Sequence, residues 1–155
     1  MNSQTEKIRI QGAAGAIEVL RDRAADAAPA LGVAVIAHPH PLFGGTMDNK
    51  VVQTLARAFV SCGWTAVRFN FRGVGQSTGQ HDEGRGERDD VRAGLDYLSA
   101  HYPDLSITVC GFSFGSRVGL DVGVADERVD YLIGIGTPLE KYDFSFLEAC
   151  RKPLL

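Results

Sequence analysis

Ile107-Thr108-Val109-Cys110-Gly111-Phe112-Ser113-Phe114-Gly115-Ser116-Arg117-Val118 is the stretch on which the fold turns. A β-branched run leads into Gly-x-Ser-x-Gly, and Phe114, Val118 and Val122 follow at the four-residue spacing of one helix face. A serine on the sharp turn between a strand and a helix is pushed out of the surface, its backbone held in a strained conformation. Glycines two residues to either side let the strand and helix close around it without a Cβ clash, which accounts for Gly111 and Gly115. Ser113 is therefore a candidate nucleophile, and the N–H of Phe114, at the helix start, can face a developing oxyanion.

The pentapeptide alone is weak evidence. Composition predicts about 0.1 chance matches in a chain of this length, and there are two. The second, Gly75-Gln76-Ser77-Thr78-Gly79, also follows a strand-like run, but it leads into Gln80-His81-Asp82-Glu83-Gly84, which has no apolar period. Ser113 is the functional candidate and Ser77 is not.

Outward from the serine, the pattern alternates. Gly32-Val33-Ala34-Val35-Ile36-Ala37 is a continuous apolar run, as expected of a strand covered on both faces. It ends in His38-Pro39-His40-Pro41-Leu42-Phe43-Gly44-Gly45-Thr46-Met47-Asp48-Asn49, where prolines and glycines forbid regular structure. Val51, Val52, Leu55, Phe59 and Val60 then mark a helix face, with Thr46 or Asp48 available as N-cap. Residues 65–71 alternate as a strand. Arg72 to Gly86, with five glycines, reads as a long loop. Val91, Leu95 and Leu98 form the next helix face behind an acidic first turn of Glu87, Asp89 and Asp90, which suits the helix dipole. Residues 129–135 read as a further strand.

At the N-terminus, Lys7–Ile10 and Ala16–Leu20 suggest a hairpin about Gly12–Gly15, and Arg21–Ala30 reads as a connection. This order of strands and helices predicts an α/β fold: a three-layer sandwich with a mostly parallel sheet.

At 155 residues and 45% hydrophobic composition, the chain is expected to form a single domain or a large piece of one. A net charge of −3, a pI near 5.8 and the lack of a basic stripe argue against nucleic-acid or anionic-membrane binding. Met1–Lys7 holds no apolar leader and nowhere do about 18 apolar residues run together, so a cytoplasmic protein is expected. Cys62, Cys110 and Cys150 are odd in number and widely spaced, which suggests small buried hydrophobes rather than a disulfide framework or zinc site.

Three segments together, His38–Asn49, Asn70–Gly79 and Gly111–Gly115, resemble the α/β-hydrolase superfamily, in particular small bacterial esterase-like members related to dienelactone hydrolases. The first segment is long and unusual, and it carries most of the specificity. The resemblance implies a serine hydrolase cleaving a carboxylic ester or thioester of a small molecule through an acyl-enzyme on Ser113, with no cofactor and no metal. It also implies a second oxyanion donor in the loop after Ala37. Pro39 and Pro41 have no N–H, which leaves His40 or Leu42; Leu42 is favoured, paired with Phe114.

The family order of serine, acid and base meets a departure here. His38, His40, His81 and His101 all precede Ser113 and none follows it. Arg151-Lys152-Pro153-Leu154-Leu155 resembles the opening of the strand that normally precedes the acid. The expectation is that residues 1–155 are the N-terminal part of a longer domain, with acid and base beyond Leu155, and that this chain alone is nearly inactive. An apolar strand opening at a terminus would otherwise be a pairing hazard.

Other readings are weighed beside this one. His38 and His40 more simply brace the oxyanion loop than replace the base, and as a metal pair they lack a third ligand. Asp143 reads as a solvated loop aspartate rather than a catalytic acid, Asp89 and Asp90 as helix-start residues, and His81 and His101 as surface residues. Gly73–Gly79 resembles a dinucleotide-binding loop but does not open a helix at once. A non-catalytic α/β-hydrolase-like binding protein is the stronger rival.

Overall fold

The computed structural model describes residues 3–26 and 28–155. The readings that touch Met1, Asn2 and Ala27 lie outside the described residues. Strands β1 (Ser3–Gly12), β2 (Gly15–Ala24), β3 (Gly32–Ala37), β4 (Thr65–Phe69), β5 (Ser106–Phe112) and β6 (Tyr131–Ile135) form one sheet in the order β1-β2-β4-β3-β5-β6. β1 and β2 pair antiparallel with each other and β2 antiparallel with β4; the β4-β3-β5-β6 block is parallel. Helices α1 (Lys50–Ser61), α2 (Arg85–His101) and α3 (Phe114–Ala125) cover it. This is the three-layer α/β sandwich expected.

Alternation along the strands decides which helix covers which face. Val33, Val35, Ala37, Val67, Phe69, Ile107 and Val109 join Val91, Leu95 and Leu98 of α2 and Val118 and Leu120 of α3 in the larger core. Ile36, Ala66 and Cys110 point the other way, against Val52 and Ala56 of α1. All six residues of β3 are buried, because both faces are covered.

The register sets the site. Ala37 lies beside Gly111 and Phe112 beside Ile135, so β3, β5 and β6 end level. The loops that follow them emerge together at the carboxyl edge of the parallel strands, where open α/β sheets hold ligands.

Several local readings change. β2 runs to Ala24, through residues whose charge had suggested a connection. Asp22 is not solvated there: it pairs with buried Arg68 of β4 at 2.7 Å and accepts the Thr5 hydroxyl at 2.6 Å, so its charge is met inside the sheet. The Arg72–Gly86 loop ends two residues early, at Gly84, because Glu87 folds back to cap it. Glu87 and Asp90, near the start of α2, are 0% and 1% exposed. Asp90 accepts the Arg72 amide at 2.9 Å and pairs with its guanidinium at 3.0 Å. Cys62 is exposed at the end of α1, not buried, whereas Cys110 is buried and its thiol is pushed up to about 12 by burial, which removes its nucleophilicity.

Beyond β6, the Leu132 amide donates to the Pro153 carbonyl at 3.0 Å, the Leu155 amide to Leu132 at 3.0 Å and the Gly134 amide to Leu155 at 2.9 Å. Residues 153–155 thus begin a parallel ladder on β6.

Candidate active site

Ser113 stands between β5 and α3 with φ 55° and ψ −119°, a left-handed conformation that non-glycine residues rarely hold. Backbone bonds on both sides fix it there. Its N–H donates to the Ile135 carbonyl at 2.9 Å, and its own carbonyl accepts from the Ser116 amide at 2.9 Å and the Ser116 hydroxyl at 2.6 Å. Its side chain is half-buried, and among the described residues no hydrogen bond ties up its hydroxyl.

The two elbow glycines are steric requirements. A Cβ on Gly111 would lie 2.5 Å from the Ser116 amide nitrogen and closer still to the Gly115 carbonyl. A Cβ on Gly115 would lie 2.5 Å from the His38 carbonyl oxygen and closer still to that of Ala37. Gly115 is therefore where the first turn of α3 rests on the end of β3, and this contact brings the loop after β3 against the serine. The Phe114 N–H, in that first turn, has no acceptor among the described residues.

The loop after β3 is held by its two histidines. His38 is fully buried; the Phe71 amide donates to its Nε2 at 3.1 Å, so the proton sits on Nδ1 and is donated to the Pro39 carbonyl at 2.7 Å. With both ring nitrogens used, His38 braces the loop. Burial lowers its pKa to about 4, against the opposing pull of the Pro39 carbonyl.

The depressed value makes stability pH-dependent. The unfolded chain takes up the proton near pH 6.5 and the native one near 4, so stability is whole above 6.5 and drains away as pH falls to 4. Urea unfolding at pH 7 and 4.5 should show a loss in the parent about 2–3 kcal/mol larger than in His38→Gln, whose side chain accepts from Phe71 without titrating. Equal losses would exclude His38 as the source.

His40 follows. Its Nδ1 accepts the Leu42 amide at 3.1 Å, capping a short 3-10 turn, Pro41–Phe43, and its carbonyl accepts from the Phe43 and Gly45 amides. The Leu42 N–H is thereby committed, while its side chain is 63% exposed. The His40 N–H has no acceptor among the described residues. The His40 ring lies 4.8 Å from that of Phe114 and 5.1 Å from that of His81.

His81 is the residue that the sequence placed wrongly. Its side chain is 9% exposed, 5.7 Å from the Phe114 ring and 3.3 Å from the carboxylate of Glu87. The separation from Glu87 is that of an ion pair, without the geometry of a hydrogen bond. The signal lay in the six-residue spacing of His81 and Glu87 across two glycines, but only the fold shows that the turn closes.

The remaining candidates separate. Ser77 is buried, accepting the Glu18 amide at 3.0 Å and donating to the Asn70 carbonyl at 2.7 Å, a structural role. Asp143 is exposed and accepts from Ser145; that backbone bond holds its carboxyl below the ordinary range. His101 is exposed at the end of α2. In the Gly73–Gly79 loop, a Cβ on Gly75 would lie 2.6 Å from the Glu18 carboxylate, which accepts the Gln76 amide. A protein carboxylate thus fills the place a phosphate would need, and α2 opens only at Arg85.

Comparison with known proteins agrees with this fold. The family described as alpha/beta hydrolase fold matches residues 40–149. An uncharacterized protein of Rickettsia prowazekii (strain Madrid E) is 41% identical over 125 residues, 78% of this chain; the match spans only about half, 52%, of that relative. Among solved structures, an alpha-beta serine hydrolase homologue from Coxiella burnetii is 41% identical with a TM-score of 0.89, covering 96% of this chain and 71% of its own. A Xanthomonas campestris protein described as an a/b serine hydrolase without lid is 37% identical with a TM-score of 0.87, covering 99% of this chain and 69% of its own. With a three-layer sheet, a strained serine on the strand–helix turn and a family match over most of its length, this chain belongs to the alpha/beta hydrolase fold family.

Proposed function

We propose that residues 1–155 carry the nucleophile and the oxyanion hole of a serine hydrolase acting on a carboxylic ester or thioester, in the small bacterial branch related to dienelactone hydrolases. The observation that carries this reading is Ser113 at φ 55°, with its hydroxyl and the neighbouring Phe114 N–H both unengaged among the described residues. The similarity to relatives described as serine hydrolases supports it. The substrate is a small molecule, no cofactor or metal takes part, and the setting is cytoplasmic; among the described residues no helix is long and apolar enough to cross a membrane.

In the first step the Ser113 Oγ attacks the carbonyl carbon and its proton passes to a base. The carbonyl oxygen becomes an oxyanion, held by the Phe114 N–H and a second amide. The tetrahedral intermediate collapses, the bond to the alcohol or thiol breaks, and the leaving group takes the proton from the base. Water then repeats the sequence on the acyl-enzyme and frees the acid. For the second amide the geometry favours His40 over Leu42, since the Leu42 N–H is already donated to the His40 ring.

His38 cannot be the base, because both of its nitrogens are engaged. We assign acid and base to polypeptide outside residues 1–155, residues 1–155 being the N-terminal portion of the domain. Without a base, a positioned serine and oxyanion hole still leave roughly 10³–10⁴-fold over water in other serine hydrolases.

Added imidazole supplies a base from solution. We expect the chain to acylate from p-nitrophenyl acetate barely on its own and faster with imidazole, the increase being lost in Ser113→Ala. An imidazole effect of equal size in Ser113→Ala would sink the reading and favour a non-catalytic binding protein. Ready turnover without imidazole, lost on Ser113→Ala, would place the base within the chain.

A further inference from the structure

The loop after β3 is tied down by two histidines with opposite capacities for change. His38 is sealed in the core, but His40 is half-exposed. The bond from the Leu42 amide to the His40 Nδ1 sets the first turn of Pro41–Phe43. A ring nitrogen accepts only while it carries no proton, so this bond exists only with neutral imidazole protonated on Nε2.

The ring is held in place from three sides, 4.6 Å from Phe43, 4.8 Å from Phe114 and 5.1 Å from His81. His81 is backed by Glu87, which is fully buried and accepts the Asp82 and Gly84 amides at 2.9 Å each. The charged and titratable groups facing His40 are His81 and Glu83 from the loop before α2, Glu87 from its first turn and Lys141 from the loop after β6.

We propose that His40 is a positioning residue that, while neutral, holds the loop bearing the oxyanion amide in register with Ser113 and, when protonated, releases it. This rests on the reading of residues 38–45 as the oxyanion loop. Protonation places an N–H on Nδ1 directly facing the N–H of Leu42, and two donors cannot bond. The Phe43 and Gly45 amides still hold the His40 carbonyl at 3.1 and 3.0 Å, so the loop loosens at its first turn without unfolding. Burial first, and then the like charge of His81, keep the pKa of His40 below the ordinary histidine value. The loop is therefore set at neutral pH and loosens on acidification. His81, fixed by Glu87, tunes the pH at which this happens.

The test is a pH titration of the chain with ¹⁵N-labelled histidine and backbone. At neutral pH His40 should show a proton on Nε2 and a bare, hydrogen-bonded Nδ1. Below about pH 6.5, the Leu42 amide resonance should move with the same midpoint as the His40 ring. In His40→Asn, an amide oxygen takes the same cap position, as Asn49 does for Val51 and Val52 at the start of α1. There the Leu42 amide should stay bonded and its acid step should vanish. In His81→Phe, the ring is kept and the like charge removed, so the midpoint should rise.

A proton on Nδ1 at neutral pH, or a Leu42 amide indifferent to His40 titration, overturns the proposal. These spectra do not depend on acyl transfer. A coupled titration in a chain whose Ser113 gives no acylation with or without imidazole would refute the hydrolase reading and sustain the His40 assignment.

Discussion

Gly115→Ala should lose more than about 4 kcal/mol of stability, or fail to fold, although Gly115 lies in a helix where the same change ordinarily adds about 1 kcal/mol. The sign is reversed by what the methyl group meets. Its carbon would sit 2.5 Å from the His38 carbonyl oxygen and nearer to that of Ala37, both of them backbone atoms of the strand end and loop. Neither can yield without moving β3, which is buried along its whole length between β4 and β5. Overpacking of this kind exceeds the usual 1–3 kcal/mol because no flexible side chain is available to absorb it.

Gly44→Ala is the control. Gly44, unlike helical Gly115, has a positive φ, 81°, and nothing lies within 4 Å of its missing Cβ. Only the backbone penalty applies, about 1 kcal/mol. Chemical denaturation of the two variants separates the terms. A Gly115→Ala protein as stable as the parent would mean that α3 does not rest on residues 37–38, and the joining of elbow and loop would go with it.

That junction marks how far the sequence could be read. The strand–serine–helix order, the all-buried β3 and the need for Gly111 and Gly115 follow from local patterns, since periodicity and sterics act over a few residues. Charged residues were misread wherever their partners are distant in sequence. Asp22 reads as loop until Arg68, 46 residues on, is laid beside it, and Asp90 reads only as a helix-start residue until the Arg72 loop folds onto it. Glu87 and His81 are close in sequence, yet nothing local says that Glu87 is buried and that His81 lies against Phe114 rather than in water. The expectation of Leu42 rather than His40 meets a related obstacle. Proline removes two candidates by covalent chemistry, but only the folded loop shows that the Leu42 N–H has been taken by a side chain.

Ser113→Gly should both abolish imidazole-dependent acyl transfer and stabilise the fold, by about 1 kcal/mol. The loss of transfer is expected to be complete to the solution rate, since the attacking oxygen is gone. The gain in stability follows from φ 55° and ψ −119° at Ser113, a conformation that strains a residue bearing a Cβ and that glycine adopts freely. Part of the relief is offset by the greater freedom of glycine in the unfolded chain, which is why the net figure is near 1 and not 2 or 3. The hydroxyl itself makes no hydrogen bond among the described residues, so removing it forfeits nothing to set against the gain.

Ser113→Ala keeps the Cβ and hence the strain, and should match the parent in stability while losing the same transfer. The comparison of the two variants therefore isolates backbone strain from chemistry. If glycine and alanine were equally stable, the elbow would be unstrained and the exposure of Ser113 would need another cause. If glycine is the more stable, the chain gives up stability to hold a serine out of its surface. A residue with only a structural role would have no reason to remain there, and stability withheld at one position in favour of a reactive oxygen is what a nucleophile requires.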